Sequence, residues 1–279
     1  MIRIEIHNIS KLVHNHYEQL KSKVKSFPSC SYTLQEIITA PPDKLQKIAK
    51  KYKNDHSFDF MVRLYTNFTN KKQEYDAYDL AESLNINVCP YCNRNYTLTV
   101  KSKYGSTRPQ FDHFYDKDTY PILALSFYNI IPSCSVCNGQ MKGKKTFSLK
   151  THIHPYVEGF DKKSRFKLHI QNCSFYYDNK GFEVKMQLQN EREKNNFRDF
   201  GLEKLYERHS DIVLELIQKA QIYNESYLDE LMQNYEGTLF RNRDDLLRLV
   251  TCGYVVDEDL HKRPLSKLIK DISEELDLL

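Results

Sequence analysis

Asn87-Val-Cys-Pro-Tyr-Cys-Asn93 and, further along the chain, Cys134-Ser-Val-Cys137-Asn138 are the stretches whose reading decides this fold. Each holds two cysteines with two residues between them, a spacing that turns both sulfurs toward one point. Two such knuckles complete a tetrahedral thiolate site. The opening Met-Ile-Arg-Ile-Glu-Ile-His7 has no apolar signal-peptide core, so the pairs read as zinc ligands before they read as disulfides. A redox cysteine pair or plain buried thiols are the alternatives. The 41 residues between the pairs exceed an ordinary zinc ribbon, so a further element is inserted there. Cys30, Cys173 and Cys252 are scattered and read as core residues.

Working outward, Asn95–Lys101 is rich in β-formers and Gly105 sits in a polar turn. The pattern predicts a hairpin whose second strand, Arg108-Pro-Gln-Phe-Asp-His-Phe114, delivers Asp112 and His113 at its end. An apolar run, Ile122–Tyr128, leads to Asn129-Ile-Ile-Pro132, and a short helix is predicted after the second knuckle over Asn138–Lys145.

Asp112-His113, Asn129, Cys134-x-x-Cys137-Asn138 and Lys142 together resemble the HNH endonuclease motif in its Asn-ended form. The two cysteine pairs are similar to the zinc-stapled branch of that ββα-metal family. The resemblance covers Val88 to Lys145, roughly a fifth of the chain. It implies an α+β fold: a zinc-stapled ββα core with mainly helical N- and C-terminal elaborations. It implies structural Zn²⁺ on Cys89, Cys92, Cys134 and Cys137, and a structural role for Asn129 in fixing the loop that orients the base.

The residues also make chemical sense on their own. Phosphodiester hydrolysis needs an activated water and a cation on the anionic transition state. His113 is a candidate general base, because an imidazole near its ordinary pKa takes a proton from water at neutral pH. Asp112 and Asn138 offer hard oxygen ligands that suit Mg²⁺ or Mn²⁺. Lys142, Lys144 and Lys145 are candidate phosphate ligands. His152 and His154 lack a third partner at ligand spacing and read as ordinary.

Charge agrees with a nucleic-acid partner. The chain of 279 residues has 41 Lys and Arg against 37 Asp and Glu, a formal +4. Between Asn85 and Lys150 stand nine cations and three anions, so this segment is +6 and the remainder −2. Apolar residues at 40% supply a core and exclude a disordered chain. Only 8 glycines, no GxGxxG and no GxxxxGK[ST] argue against dinucleotide- and P-loop-binding folds. No run approaches the ~18 apolar residues of a membrane span. A soluble, cytoplasmic protein with no membrane partner is the expectation.

Residues 1–87 read as a helical region, with helices expected over Ile9–Phe27, Asp43–Tyr52 and Phe58–Phe68. Residues 88–150 read as the nuclease core. Residues 151–279 read as a β-hairpin, Phe166–Tyr177 with Phe182–Leu188, followed by helices that pack on the core. Among those helices, Leu205, Ile212, Leu216, Ala220, Tyr223, Tyr227 and Leu231 form one stripe, read as a core seam. Arg241–Cys252 and Asp257–Leu276 are two further predicted helices. A helical lead into the first cysteine pair and a helical C-terminal half are similar to HNH effectors of bacterial anti-phage systems such as the Septu type. Those pair the nuclease with an ATPase, so any ATP dependence here would come from a partner.

The leading expectation is therefore a metal-dependent HNH endonuclease, with DNA favoured over RNA. The alternatives are an inert zinc-stabilised nucleic-acid-binding or adaptor module, and an RNase acting on tRNA.

Overall fold

A computed structural model of the chain describes residues 1–70, 74–160 and 162–279. By packing these divide into two units, Met1–Tyr91 with Tyr96–Gly159, and Cys92–Asn95 with Phe160–Leu279.

The first unit begins with five helices, α1 (Ile9–Lys21), α2 (Leu34–Ile38), α3 (Pro42–Lys51), α4 (Asp59–Thr69) and α5 (Ala77–Leu84). Their starts are written locally. The Thr33 side chain accepts the Glu36 N–H while Glu36 takes back the Thr33 N–H, a reciprocal cap on α2. Pro42 opens α3 at the first helical position, where its missing N–H costs nothing. Asp76 and Asp79 close the same kind of box on α5. The apolar faces bury Ile37, Ile38, Leu45, Ile48 and Phe68 almost completely, each contributing roughly 1.5–3 kcal/mol.

The strands depart from the sequence expectation. Val100–Lys101 (β1) pairs with Ser106–Thr107 (β2) for two residues only. Gln110–His113 (β3) does not continue that hairpin and pairs instead, antiparallel, with Ile130–Ser133 (β4). Pro109 explains the change: without an N–H it cannot extend the first ladder. Beyond it, the apolar Ile130-Ile131 offers a buried partner. A wide helical turn, Val136–Lys142, follows β4, with the Gly143 N–H reaching back five residues to the Asn138 carbonyl. It ends at Gly143, whose φ of 52° suits glycine. The unit thus contains strand, strand and helix in the order β3, β4, Val136–Lys142.

In the second unit β5 (Arg165–Ile170) pairs with β6 (Phe182–Gln187) in register Arg165↔Gln187 to Ile170↔Phe182. The first strand stops at Ile170, short of the predicted Tyr177, because Cys173–Tyr176 turns into a helical loop. Gly181 admits that loop: a Cβ there would lie 2.4 Å from the Phe175 nitrogen. Helices α6 (Glu191–Asp199), α7 (Leu202–Tyr206), α8 (Ser210–Ile222), α9 (Glu225–Tyr235), α10 (Arg243–Thr251) and α11 (Ser266–Glu275) complete the unit. Helix α11 lies along β5, where Asp271 accepts the Phe166 N–H at 2.9 Å. The predicted seam breaks into α7, α8 and α9. Its buried face on α8 is Val213, Leu216 and Ile217, while Tyr227 is exposed.

No helix among the described residues is long and apolar enough to cross a membrane.

Candidate metal centre and active site

The two cysteine pairs converge. The sulfurs of Cys89, Cys92, Cys134 and Cys137 all lie within 4.8 Å of one another, in buried residues that form no disulfide. A tetrahedral zinc–sulfur site has edges of roughly 3.8 Å, so the donor set fits. Local backbone prepares the sulfurs. The Arg94 N–H points at Cys92 Sγ at 3.4 Å, and the Cys137 N–H at Cys134 Sγ at 3.5 Å. Such donors favour thiolate over thiol. Asn93 adopts φ 49° and turns the chain after Cys92. Its buried amide donates to the Leu260 carbonyl at 2.9 Å and accepts the Lys267 N–H at 3.0 Å. The Tyr206 hydroxyl donates to the Cys92 carbonyl at 2.5 Å. The cluster can hold a structural zinc ion. It is the one group of three or more His, Cys, Asp and Glu side chains placed to share an ion among the described residues.

Strand β3 carries Asp112 and His113 to opposite faces. Asp112 is 3% exposed and both of its oxygens are engaged. Oδ2 accepts the Tyr91 hydroxyl at 2.7 Å, and Oδ1 accepts the Lys142 ammonium at 2.8 Å. Tyr91 comes from between the first two cysteines, so the knuckle itself holds the carboxylate. Lys142 is 2% exposed and also donates to the His113 carbonyl.

The His113 ring packs edge-on against Tyr65, with centroids 4.4 Å apart. Its Nε2 lies 2.9 Å from the Ala124 carbonyl. A carbonyl only accepts, so Nε2 carries the proton and Nδ1 keeps its lone pair. Burial pushes the His113 pKa down to about 4, against a smaller upward pull from that hydrogen bond. The ring is neutral at pH 7.

Asn129 is fully buried immediately before β4. Its Oδ1 accepts the Tyr115 N–H at 2.7 Å, and its amide donates to the carbonyls of Tyr115 and Leu123, each at 3.0 Å. Leu123 adjoins Ala124, so Asn129 holds the loop whose next carbonyl orients His113. Asn138, in the helical turn, donates from its amide nitrogen to Gln110 Oε1 at 2.9 Å. That bond leaves its carbonyl oxygen for another partner. Gln110 and Asp112 share one face of β3 by strand alternation.

The sequence grouped Lys142, Lys144 and Lys145 as phosphate ligands, but the structure separates them. Lys144 and Lys145 are exposed, whereas Lys142 is buried on Asp112. His152 stacks on Phe147 at 3.7 Å and bonds Thr151, and His154 packs against Phe114 at 4.3 Å. Sequence reasoning missed Tyr91 and the Ala124 carbonyl. The position of Tyr91 inside the cysteine pair was the available signal for the first; nothing local marked the second.

Over 72 residues the chain is 39% identical to the Septu protein PtuB of Bacillus thuringiensis. The match takes in 26% of this chain and 25% of the relative, so the chain spans about a quarter of the length of the protein it matches. No family model matches, and neither does any solved structure.

Proposed function

We propose that the chain is a metal-dependent HNH-type endonuclease that hydrolyses phosphodiester bonds in DNA, as part of an anti-phage system with an ATPase partner. The observation that carries the reading is the orientation of His113. Its neutral ring is fixed through Nε2 by the Ala124 carbonyl, and the loop bearing that carbonyl is held by Asn129. Nδ1 is thereby the atom that takes a proton from water. The strand–strand–helix order around Asp112, beside a four-cysteine cluster suited to zinc, supports the same reading. The partial similarity to a Septu protein supports the defence role.

In this proposal Asp112 and the Asn138 carbonyl hold Mg²⁺ or Mn²⁺. Each Asp112 oxygen keeps a second lone pair for it. When bound, such a cation would neutralise charge developing on the phosphate. Lys142 keeps Asp112 in place, and Lys144 and Lys145 hold the phosphate backbone. The zinc cluster is structural and takes no part in the reaction.

One observation favours the rival reading, an inert zinc-stabilised binding module. The Lys142 ammonium already satisfies Asp112 in a buried pair. Incubation of the purified protein with plasmid, linear DNA and RNA, in Mg²⁺, in Mn²⁺ and without divalent metal, separates the two. Cleavage that needs added metal and is lost in His113→Ala supports the enzyme. No cleavage of any substrate, alone or with a candidate ATPase partner added, leaves the binding module.

A further inference from the structure

The extended segment after the first cysteine pair is amphipathic in the reverse sense. Thr97 is buried, its hydroxyl donating to the Ile86 carbonyl at 2.7 Å and its N–H to the Asn87 carbonyl at 2.9 Å. Tyr96, Leu98 and Val100 are 56%, 44% and 49% exposed. Residues two apart in an extended chain share a face, so these three form one outward apolar stripe. Strands β1 and β2 carry it to a turn in which the Ser102 hydroxyl accepts the Gly105 N–H at 3.2 Å. Tyr104 stands at the tip, 89% exposed, with the Lys103 ammonium 4.9 Å from its ring centroid.

Charge says what fits there. From Asn93 to Phe111 there is no acidic residue, against Arg94, Lys101, Lys103 and Arg108. Lys101 is paired with Asp79 and Glu82, and Arg108 lies over Tyr78 and Phe111, so Lys103 is the cation at the tip. An apolar stripe ending in an exposed ring and an ammonium suits a ligand with flat apolar faces and regular negative charge. Unpaired nucleic acid has both, whereas a duplex hides its base faces.

We propose that Tyr96, Leu98, Val100, Lys103 and Tyr104 form a docking surface for an unpaired stretch of nucleic acid. Its bases stack on the two tyrosines and its phosphates meet Lys103. The surface leads through Arg108-Pro109 directly into β3, which bears Asp112 and His113. The proposal rests on the nuclease reading and names the strand state that the site receives.

The test is fluorescence anisotropy of the zinc-loaded full chain with a labelled single-stranded oligonucleotide and with its duplex, in buffer without added divalent metal. Tyr104→Ala and Tyr96→Ser should each weaken single-strand binding about tenfold, within the range of base–aromatic stacking, and change duplex binding less than twofold. Lys103→Ala should lower the salt dependence of single-strand binding by about one phosphate contact. Zinc content and melting temperature, unchanged at such exposed positions, certify the fold. Variants that bind the single strand like wild type overturn the docking surface, as does a wild-type protein that prefers the duplex. Wild-type-like cutting and binding by these variants would remove this proposal alone. Tyrosine-dependent single-strand binding without any cleavage would sustain the docking surface and remove the nuclease.

Discussion

Lys142 and Asp112 form an ion pair 2.8 Å long in which both side chains are almost wholly buried. Tyr91 gives the carboxylate, and the His113 carbonyl gives the ammonium, a further hydrogen bond. Removing one partner leaves the other charge buried and alone. Lys142→Met should therefore destabilise the protein by about 3–5 kcal/mol, whereas the double variant Lys142→Met with Asp112→Leu should recover much of that loss. Urea unfolding of the two single variants and the double variant measures it. Losses that simply add would show that the pair is not coupled.

The four-cysteine cluster predicts one zinc per chain. Structural zinc contributes roughly 10–16 kcal/mol in small zinc peptides at neutral pH. Cys92→Ser should then abolish cooperative unfolding rather than lower the midpoint slightly. Metal analysis of the purified chain decides the first point, and a thermal melt the second. A folded protein lacking stoichiometric zinc would sink both.

The cysteine pairs were legible because the spacing that aims two sulfurs at one point is local. The start of α3 at Pro42, one residue before the expected Asp43, was legible for the same reason. The pairing of β3 with β4 was not, because it depends on Pro109 breaking one ladder and a distant apolar run offering another. Lys142 read as a phosphate ligand in sequence. Only the wide turn Val136–Lys142 brings its ammonium under β3, onto Asp112. The α8 seam was misread because Leu216 belongs to both possible stripes, and tertiary packing selected the face with Val213 and Ile217.

His113→Ala should remove cleavage by ~10²–10⁴ while leaving zinc content intact, since a positioned base contributes about that much. Asn129→Ala should lower both rate and stability, because three buried hydrogen bonds are lost and the Ala124 carbonyl is released with them. The contrast is the informative part. A folded His113→Ala protein that cuts at the wild-type rate would falsify the proposed mechanism.

His16 predicts how stability follows pH. It is buried on α1, with Nε2 3.0 Å from the Leu125 carbonyl and Nδ1 2.9 Å from the Tyr75 hydroxyl. The carbonyl fixes the proton on Nε2, so Nδ1 accepts from Tyr75 and the neutral ring is fully satisfied. Desolvation pushes its pKa down to about 4 from the ordinary 6.5. Between those values the unfolded chain binds the proton and the folded chain does not. Stability from this group is therefore complete above pH 6.5 and is lost as pH falls toward 4, by about 3 kcal/mol in all. His16→Gln should be less stable than wild type at pH 7, and that gap should narrow steadily at pH 5.5 and 4.5. Comparing variant with wild type at each pH cancels the loss of zinc from protonated thiolates. Urea midpoints that keep the same separation at all three pH values would show that His16 takes up its proton alike in the folded and unfolded chain.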